Sequence, residues 1–435
     1  MSASIQAQTL PEWLEQLEQM HPQKIDLGLD RVRAVAANLG LDSSAIKIVV
    51  AGTNGKGSTC AMLEAILLSA GYRVGVYTSP HLIHFNERAR INGESATDAQ
   101  FLQAFEVVEK ARGDTSLTYF EFTTLAILWL FAQESLDAWV LEVGLGGRLD
   151  AVNLVDADCA IVTSIDIDHT DWLGADRETI GLEKAHVFRP GKPAICADPQ
   201  PPESVIEYAK SIGADLWVQG QDFNYSGDRQ QWAFAARGRR RNALGYPGLR
   251  GANQLLNASG ALAAIEALRD QLMVPQQAVR LGLLQAKVPG RFQFLPGQPA
   301  IVLDVAHNPH AAAVLDKNLA GMGFFPYTYA VFGILGDKDI EQVVHTLSKR
   351  FDAWYCATLP GERGLSGQAL KERVEAQLAL DFADKPNEPV PEVLIFDSPA
   401  QAFEAASQKV TVNDRIVAFG SFITVGEVLV HLGRD

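Results

Sequence analysis

Cysteine is scarce in this 435-residue sequence, and long apolar runs are missing. The four cysteines, Cys60, Cys159, Cys196 and Cys356, form neither a CxxC pair nor a Cys/His zinc spacing, so we expect reduced thiols in a cytoplasmic protein. The first residues lack the basic and apolar regions of a secretory signal peptide, and none is expected. The longest apolar stretch, near Phe122–Ala132, is far shorter than the roughly 20 residues that cross a bilayer. These absences predict a soluble protein with no membrane partner.

Positive charge is also in deficit. The chain has 37 Lys and Arg against 52 Asp and Glu, a formal net charge of −15. Such a charge repels nucleic acid and anionic membranes, so neither is expected as the main partner. With 47% hydrophobic and 20% charged residues, the composition is that of a globular protein. The length predicts two or three domains.

Two stretches of the chain alternate short β-branched or aliphatic segments with helical patterns, which is typical of parallel α/β sheets. In the first stretch, Thr97-x-x-Gln100 resembles a capping box that opens a helix. In the second, which begins near residue 290, Ser398-Pro399 predicts another helix start. We therefore predict two α/β domains, residues 1–287 and 288–435.

Residues 199–248, between the two stretches, give mixed strand and loop signals. They contain the basic run Arg237–Arg241. Because runs of like charge are most often solvated, we interpret this run as a solvated loop in preference to an anion-binding site.

The strongest local motif is Ala51–Thr59, with the sequence AGTNGKGST, which lies between a predicted strand and a predicted helix. Its three glycines allow a phosphate to approach the backbone, amide groups converge at the start of the helix, and Lys56 supplies a flexible cation. The motif departs from the usual P-loop, because Val50 replaces the first glycine and Gly57 separates Lys56 from Ser58. It still predicts a nucleotide-binding loop.

Two polar residues follow predicted strands at the same edge of the first sheet. Glu142 ends the strand near Ala138–Val143, where a carboxylate would face the phosphate loop as a magnesium ligand must. His169 follows the strand near Cys159–Ser164. A lone histidine is more often structural than a metal ligand, so the residues alone leave both roles of His169 open. Asp166 is assigned no role.

The phosphate loop and its departure from the usual pattern resemble the Mur ligase family, ATP-dependent enzymes that join an amino acid to a carboxylate. Further stretches narrow the resemblance to the folylpolyglutamate synthase branch, particularly its bifunctional dihydrofolate synthase type. They run in the family's order over essentially the whole chain: Ile25–Val32, Tyr77–Leu82, Leu117–Phe122, Leu141–Asp150, Asp168–Leu173, Glu183–Ala185, Pro289–Gln293, Asp304–Pro309 and Phe419–Phe422. The resemblance implies an α/β fold with an N-terminal P-loop-containing Mur-ligase-type ATPase domain and a smaller C-terminal Rossmann-like domain.

The resemblance implies an ATP-dependent ligase that adds L-glutamate to dihydropteroate, forming dihydrofolate, and to reduced folates, forming polyglutamates. An acyl phosphate is the implied intermediate, and ATP and two Mg²⁺ ions are the implied cofactors. A monofunctional folylpolyglutamate synthase is the alternative within the family. A non-catalytic nucleotide-binding module is the rival from another class. We expect a monomer whose partners are small-molecule substrates only.

Site residues carried over from the family fall into four groups. Catalytic roles are implied for Lys56, Glu142, His169, Lys184 and His307. ATP contacts are implied for Thr53, Asn54, Gly55, Lys56, Gly57, Ser58, Asn257, Arg291 and Asp304. The implied metal ligands are Ser79 and Glu142 for the first ion and His169 for the second, together with Lys184 if it is carbamylated. The implied pterin pocket is lined by Ile25, Asp26, Leu27, Thr118, Tyr119, Phe120, Glu121, Leu149, Asp150 and Ala151.

Without the resemblance, several of these residues have ordinary interpretations. The sequence pattern alone predicts an exposed helical lysine at Lys184 and a turn serine at Ser79. Tyr119 and Phe120 read as core aromatics. His307 reads as a residue at the start of a helix.

Overall fold

The computed structural model describes residues 7–23, 25–228 and 230–434, and it divides the chain into two compact units. The first unit comprises the chain up to Lys287, and the second begins at Val288. Two short segments depart from this division, because His81–Phe85 and Leu249–Gln254 belong to the second unit. The boundary predicted from the sequence, between residues 287 and 288, does not include these two segments in the second unit.

The first unit is built on an eight-stranded sheet in which β3 and β4 form an antiparallel edge and the other strands are parallel. All five residues of the Ala-Trp-Val-Leu-Glu strand are buried, as expected for a parallel strand covered on both faces. The strand order is β4-β3-β2-β5-β1-β6-β7-β8. The strands are β1 Ile46–Ala51, β2 Val74–Tyr77, β3 Ala89–Ile91, β4 Glu94–Ser95, β5 Ala138–Glu142, β6 Cys159–Val162, β7 Pro193–Cys196 and β8 Asp215–Val218.

The helices around this sheet begin where the sequence supplies caps. In the predicted capping box, the Thr97 side chain accepts from the Gln100 amide and the Gln100 side chain accepts from the Thr97 amide. Short 3₁₀ helices lie at Phe85–Arg88 and Ala151–Leu154. The α-helices are α1 Leu10–Met20, α2 Asp30–Ala36, α3 Lys56–Ser69, α4 Asp98–Arg112, α5 Tyr119–Gln133, α6 Thr170–Leu173, α7 Arg177–Ala185, α8 Glu203–Ser211, α9 Gln254–Ala267 and α10 Gln276–Gln285.

A three-stranded antiparallel sheet occupies the region with mixed signals: β9 Phe223–Gly227, β10 Trp232–Ala236 and β11 Arg239–Leu244. The run Arg237–Arg241 is solvated as predicted, since four of its five residues are exposed, but it belongs to a hairpin and the prediction of a loop is wrong. Arg237 and Gly238 form the turn between β10 and β11, both with positive φ, and the remaining arginines belong to β11. The hairpin forms because alternate residues of β10 are buried, which gives it an apolar face.

The second unit contains a six-stranded sheet, ordered β12-β13-β17-β14-β15-β16, in which β12 is antiparallel and the rest are parallel. Apolar cores lie on both sides of it, one around Trp354 and Phe419 and the other around Val331 and Val425. Its elements are β12 Gln293–Leu295, β13 Ala300–Asp304, α11 Pro309–Ala320, β14 Thr328–Phe332, α12 Ile340–Leu347, β15 Ala353–Ala357, α13 Gly367–Phe382, β16 Glu392–Phe396, α14 Pro399–Lys409, β17 Arg415–Phe419 and α15 Phe422–His431. Both sheets confirm the predicted α/β class.

The state of the cysteines and the character of the helices bear on two further expectations. The four cysteine thiols are all free and buried. Among the helices of the described residues, none combines the length and the apolar character that crossing a membrane requires.

Candidate active site

The phosphate loop joins β1 to α3 and packs more closely than any residue other than glycine allows. A Cβ on Gly52, whose φ is +146°, would lie 1.8 Å from the Thr163 Oγ1 atom. A Cβ on Gly55, whose φ is +93°, would lie 2.4 Å from the Asn257 Oδ1 atom. The glycines therefore bring the loop against the end of β6 and against α9. The structure thus places Asn257, an expected ATP contact, beside the loop.

The loop is held by the polar residues that follow β6. The Thr53 amide donates to the Ser164 carbonyl over 2.7 Å, and the Asp166 amide donates to the Thr53 hydroxyl over 3.0 Å. The hydroxyls of Thr163 and Ser164 donate to the Asn54 carbonyl over 2.8 and 3.0 Å. Sequence reasoning gave no role to Thr163, Ser164 or Asp166. The available signal was a run of polar residues directly after a buried strand, at the edge where the loop lies.

Two lysines converge on one carbonyl oxygen of this loop. The Lys56 Nζ atom donates to the Gly52 carbonyl over 3.0 Å, and the Lys184 Nζ atom donates to the same oxygen over 3.2 Å. Lys184, on α7, is only 4% exposed, so its interpretation as an exposed helical lysine is wrong. Burial, and then the positive charge of Lys56, lower the pKa of Lys184 to about 7.

Glu142 and Ser79 lie side by side next to the first turn of α3. The Glu142 carboxylate is 4% exposed and accepts a hydrogen bond from the Ser79 amide over 3.3 Å. A Cβ on Gly57 would lie 3.8 and 3.9 Å from the two carboxylate oxygens. A carboxylate and a hydroxyl at the carboxyl ends of neighbouring strands are hard oxygen donors of the kind that Mg²⁺ prefers.

Metal binding here would also need ligands from outside the protein. Within the part of the chain that the structure describes, no group of three or more His, Cys, Asp or Glu side chains is arranged to hold a metal ion. A magnesium ion held by one or two protein ligands normally completes its octahedron with phosphate oxygens and water. The donor set therefore fits a nucleotide-bound cation better than a permanent structural metal.

His169 stands at the start of α6 with a left-handed backbone conformation, at a φ of +52°. Its backbone amide donates to the Asp168 carboxylate over 2.8 Å, and its Nε2 atom lies 3.9 Å from the same carboxylate. Asp168 therefore contacts the backbone of His169 and lies near its ring. Three residues earlier, Asp166 is bonded to Thr53, so the segment that carries His169 is tied to the phosphate loop.

An aromatic ring and a buried carboxylate meet beside a glycine after β5. A Cβ on Gly144 would lie 2.5 Å from the Phe120 ring and 3.2 Å from the Asp150 carboxylate. The Phe120 ring also stacks on Tyr77, with centroids 6.2 Å apart. Core packing, the ordinary interpretation of these aromatics, does not describe Phe120, since it is partly exposed. Leu149 and Ala151 flank Asp150 in the same turn.

Asp150 is positioned by the backbone. Its two carboxylate oxygens accept hydrogen bonds from the amides of Leu145 and Val152, over 2.8 and 2.9 Å. Burial raises the pKa of Asp150 to about 6, although these hydrogen bonds oppose the rise. Above that pH the site presents a buried anion next to an aromatic face.

Thr118 and Glu121 form a second capping box, at the start of α5. The Thr118 side chain accepts from the Glu121 amide over 3.2 Å, and the Glu121 carboxylate accepts from the Thr118 amide over 2.7 Å. Glu121 is also paired with Arg31, which in turn bonds Asp26. Arg31 joins two of the expected pterin-lining segments, Ile25–Leu27 and the start of α5, and sequence reasoning missed it.

In the second unit, Asp304 ends β13 as expected. Its carboxylate accepts from the amides of Phe292 and Ala306, each over 2.8 Å. Burial raises the pKa of Asp304 to about 6, and the nearby Arg291 opposes the rise. Asp304, like Asp150, is therefore a carboxylate that two backbone amides hold in place.

Arg291 and His307 lie near the same aromatic ring of the second unit. The Arg291 guanidinium is 5.4 Å from the centroid of the Phe422 ring, and the His307 ring is 6.5 Å from it. The His307 Nδ1 atom is 2.8 Å from the Val305 carbonyl, so this nitrogen is the donor and carries the proton in the neutral ring. Arg291, Asp304 and His307 thus form a cluster at the carboxyl end of β13.

Comparison with known proteins covers almost the whole chain. Residues 50–265 match the model of the Mur ligase middle domain, and residues 290–422 match that of the Mur ligase glutamate ligase domain. The chain is 46% identical over 425 residues to a dihydrofolate synthase/folylpolyglutamate synthase of Escherichia coli K12, covering 97% of this chain and 95% of that relative.

Solved structures of the same kind of protein also match this chain over almost its whole length. E. coli FolC in complex with DHPP and ADP has a TM-score of 0.91 and 45% identity, over 98% of both chains. A bifunctional folylpolyglutamate synthase/dihydrofolate synthase with Mn, AMPPNP and L-glutamate bound has a TM-score of 0.88 and 44% identity, over the full length of both chains.

Proposed function

The chain belongs to the Mur ligase family, and we propose that it is a bifunctional dihydrofolate synthase/folylpolyglutamate synthase. In this role it uses ATP to add L-glutamate to dihydropteroate and to reduced folates. The observation that carries the proposal is the phosphate loop, where Lys56 and Lys184 meet at the Gly52 carbonyl beside Glu142. The same fold in relatives that bind ADP or AMPPNP supports ATP as the nucleotide.

The reaction requires activation because a carboxylate is a poor electrophile. Transfer of the terminal phosphoryl group of ATP to the folate carboxylate gives an acyl phosphate and ADP. The amine of glutamate then attacks the acyl carbon, the amide bond forms, and phosphate leaves. Lys56 and the amides at the start of α3 bind and orient the phosphates. Glu142 and Ser79 would hold a Mg²⁺ ion, which when bound neutralises phosphate charge.

We assign the second cation to His169 and a carbamylated Lys184. Carbamylation joins a neutral amine to CO2, forming an N–C bond and releasing one proton. A pKa of about 7 leaves a large neutral fraction of Lys184 at physiological pH, which an ordinary lysine lacks. The resulting carbamate would supply a hard oxygen ligand and remove the repulsion between the two lysines.

Phe120 and Asp150 are the proposed centre of the pterin pocket. A partly exposed ring can stack on the flat pterin, and the Asp150 carboxylate can accept hydrogen bonds from its amino-pyrimidine edge. The remaining proposed lining residues are Ile25, Asp26, Leu27, Thr118, Tyr119, Glu121, Leu149 and Ala151. The Thr118 and Glu121 side chains already cap α5, so they support the pocket as well as line it.

Further ATP contacts are assigned to Asn257, beside the loop, and to Arg291 and Asp304 of the second unit. An arginine binds phosphates through its planar fork, and a carboxylate accepts ribose hydroxyls. His307 is assigned to phosphate or glutamate. The remaining loop contacts are Thr53, Asn54, Gly55, Gly57 and Ser58.

We also propose that the enzyme acts as a monomer in the cytoplasm on small-molecule substrates. Four buried free thiols support a reducing compartment. A monofunctional folylpolyglutamate synthase is the alternative within the family, and a non-catalytic nucleotide-binding module the alternative outside it.

A product assay tests this function. Purified protein with ATP, Mg²⁺ and glutamate is given either dihydropteroate or tetrahydrofolate. We expect ADP, phosphate and the glutamyl product with both acceptors. AMP and pyrophosphate would exclude the acyl-phosphate route, activity with tetrahydrofolate alone would favour the monofunctional alternative, and no product with either would favour a binding module.

Glu142→Ala tests the metal assignment. Because this carboxylate is the proposed protein anchor of the nucleotide-bound cation, we expect turnover to fall by at least about 10³-fold. Circular dichroism should show an unchanged fold. A variant with a near-normal rate at saturating Mg²⁺ would remove Glu142 from the metal site.

A further inference from the structure

Two helices of the first unit begin with the same local motif but in different surroundings. α4 starts with Thr97 and Gln100 at the surface, and α5 starts with Thr118 and Glu121 in the interior. Both boxes have the same pair of reciprocal hydrogen bonds. A neutral glutamine is therefore sufficient for capping, and the negative charge of Glu121 requires another explanation.

The partner of that charge is Arg31, at the start of α2. The Arg31 Nη2 atom donates to Glu121 Oε1 over 3.0 Å, while the other carboxylate oxygen caps Thr118. The Glu121 side chain is only 4% exposed, and a charge in such a place is stable only when it is paired. Arg31 and Glu121 are 90 positions apart in the sequence.

The same guanidinium also holds the segment before α2. Its Nη1 atom donates to the Asp26 carboxylate over 2.6 Å, and its Nη2 atom donates to the Asp26 carbonyl over 2.8 Å. His21 faces the same carboxylate at 3.6 Å. One planar side chain thus fixes both the backbone and the side chain of Asp26 relative to α5, a geometry that the single ammonium of a lysine does not reproduce.

We propose that Arg31 is a positioning residue that sets the affinity for the pterin by fixing the Asp26 segment against the start of α5. This inference rests on the proposed function. The mechanical link is short, because Glu121 directly follows Phe120, whose ring lies against Gly144 and Asp150. Arg31, with its bonds to Asp26 and Glu121, acts as a clamp. Loss of this clamp should loosen two walls of the pterin pocket at once. The phosphate loop is tied instead to the residues after β6, so ATP binding should be spared.

Arg31→Gln and Glu121→Gln remove the ion pair from opposite sides. Glu121→Gln keeps a side-chain oxygen for the Thr118 amide, as Gln100 does at α4, so helix capping survives. In each variant we expect the KM for dihydropteroate to rise about tenfold, with kcat and the KM for ATP within about twofold of wild type. The double variant should be no worse than the poorer single variant, because both changes break one clamp.

The matched control is Arg73→Gln, which breaks the more exposed pair with Glu134 and should leave all three constants unchanged. An Arg31→Gln enzyme whose KM for dihydropteroate moves less than about twofold would overturn the proposal. So would an equal rise in the KM for ATP, which indicates general loosening. Should Arg31→Gln not fold, Arg31→Lys replaces it, because an ammonium keeps the charge but does not reproduce the planar contacts with Asp26 and Glu121. A wild-type enzyme without dihydropteroate-dependent ADP release would instead refute the proposed function.

Discussion

Positive charge occurs in two contrasting settings within the first unit. At the phosphate loop, Lys56 and Lys184 donate to one backbone carbonyl, and Lys184 is buried. In the β10–β11 hairpin, Arg237 forms ion pairs with Asp215 and Asp222, at 2.7 and 3.2 Å. The lysines thus share one backbone oxygen, whereas the arginine pairs with two carboxylates.

This difference shows why the density of basic residues is a poor guide to an anion site. Arg237 also lies 4.2 Å from the centroid of the Trp217 ring, and Arg241 is paired with the buried Glu266, so both serve local structure. Two ammonium groups held close together repel each other, which favours the neutral form of Lys184 that carbamylation requires. In a chain of net charge −15, the flexible cation Lys56 beside the backbone amides at the start of α3 marks the proposed phosphate site.

The largest effect should come from the loop lysine. Lys56→Ala removes a flexible cation from the start of α3, where no other side chain on the loop can replace its charge. We expect kcat/KM for ATP to fall by about 10³-fold, with circular dichroism unchanged. A loss below about tenfold would mean that the backbone amides alone hold the phosphates.

Lys184 should affect turnover through its proposed carbamylation. Lys184→Arg keeps a positive charge but cannot react with CO2, because a guanidinium stays protonated. We expect turnover to fall by about 10²-fold. With ¹³C-labelled bicarbonate, the wild-type enzyme should show one carbamate signal that the variant lacks. Near-normal turnover in the variant would remove the carbamate from the mechanism.

The pH dependence of stability sharpens the contrast between buried and exposed cations. Lys184 has a pKa of about 7 when folded, against 10.5 ordinarily, so the folded chain binds fewer protons than the unfolded chain between these values. The cost of burying its charge is therefore full below about pH 7 and declines as pH rises towards 10.5.

Lys184→Met removes this cost, so the variant should gain stability relative to wild type chiefly at low pH. In CO2-free buffer, we expect that gain to shrink by roughly 2 kcal/mol between about pH 6.5 and 9. Urea denaturation at both pH values measures it. A difference in unfolding free energy that is independent of pH would place the Lys184 ammonium in water.

Local chemistry explains what could be predicted from the sequence. The strand, glycine loop and helix around Lys56 follow from neighbouring residues, as do the capping boxes and the carboxylate at the end of β5. The contacts that hold the site join residues that are far apart in the sequence. The Thr53–Asp166 hydrogen bonds span 113 positions and the Arg31–Glu121 pair spans 90, and no local pattern encodes such pairings.

Burial was the other quantity that local reasoning could not supply. Lys184 lies on a helix with charged neighbours, and only its packing beneath the phosphate loop distinguishes it from an exposed lysine. For Arg237–Arg241 the predicted exposure is confirmed, and only the predicted secondary structure is wrong. The charged residues Arg239–Arg241 belong to strand β11, and the pairing of β11 depends on the alternating buried residues of β10.

The smallest effect is expected in the hairpin. Arg237→Ala breaks two ion pairs that are partly exposed and one ring contact, so we expect a loss of stability of about 1 kcal/mol or less. The KM for ATP should not change, because these carboxylates already satisfy the guanidinium. Lys56→Ala is the matched comparison, since it should alter catalysis and leave stability nearly unchanged. A raised KM for ATP in Arg237→Ala would restore the run as an anion site and remove the contrast between the two regions.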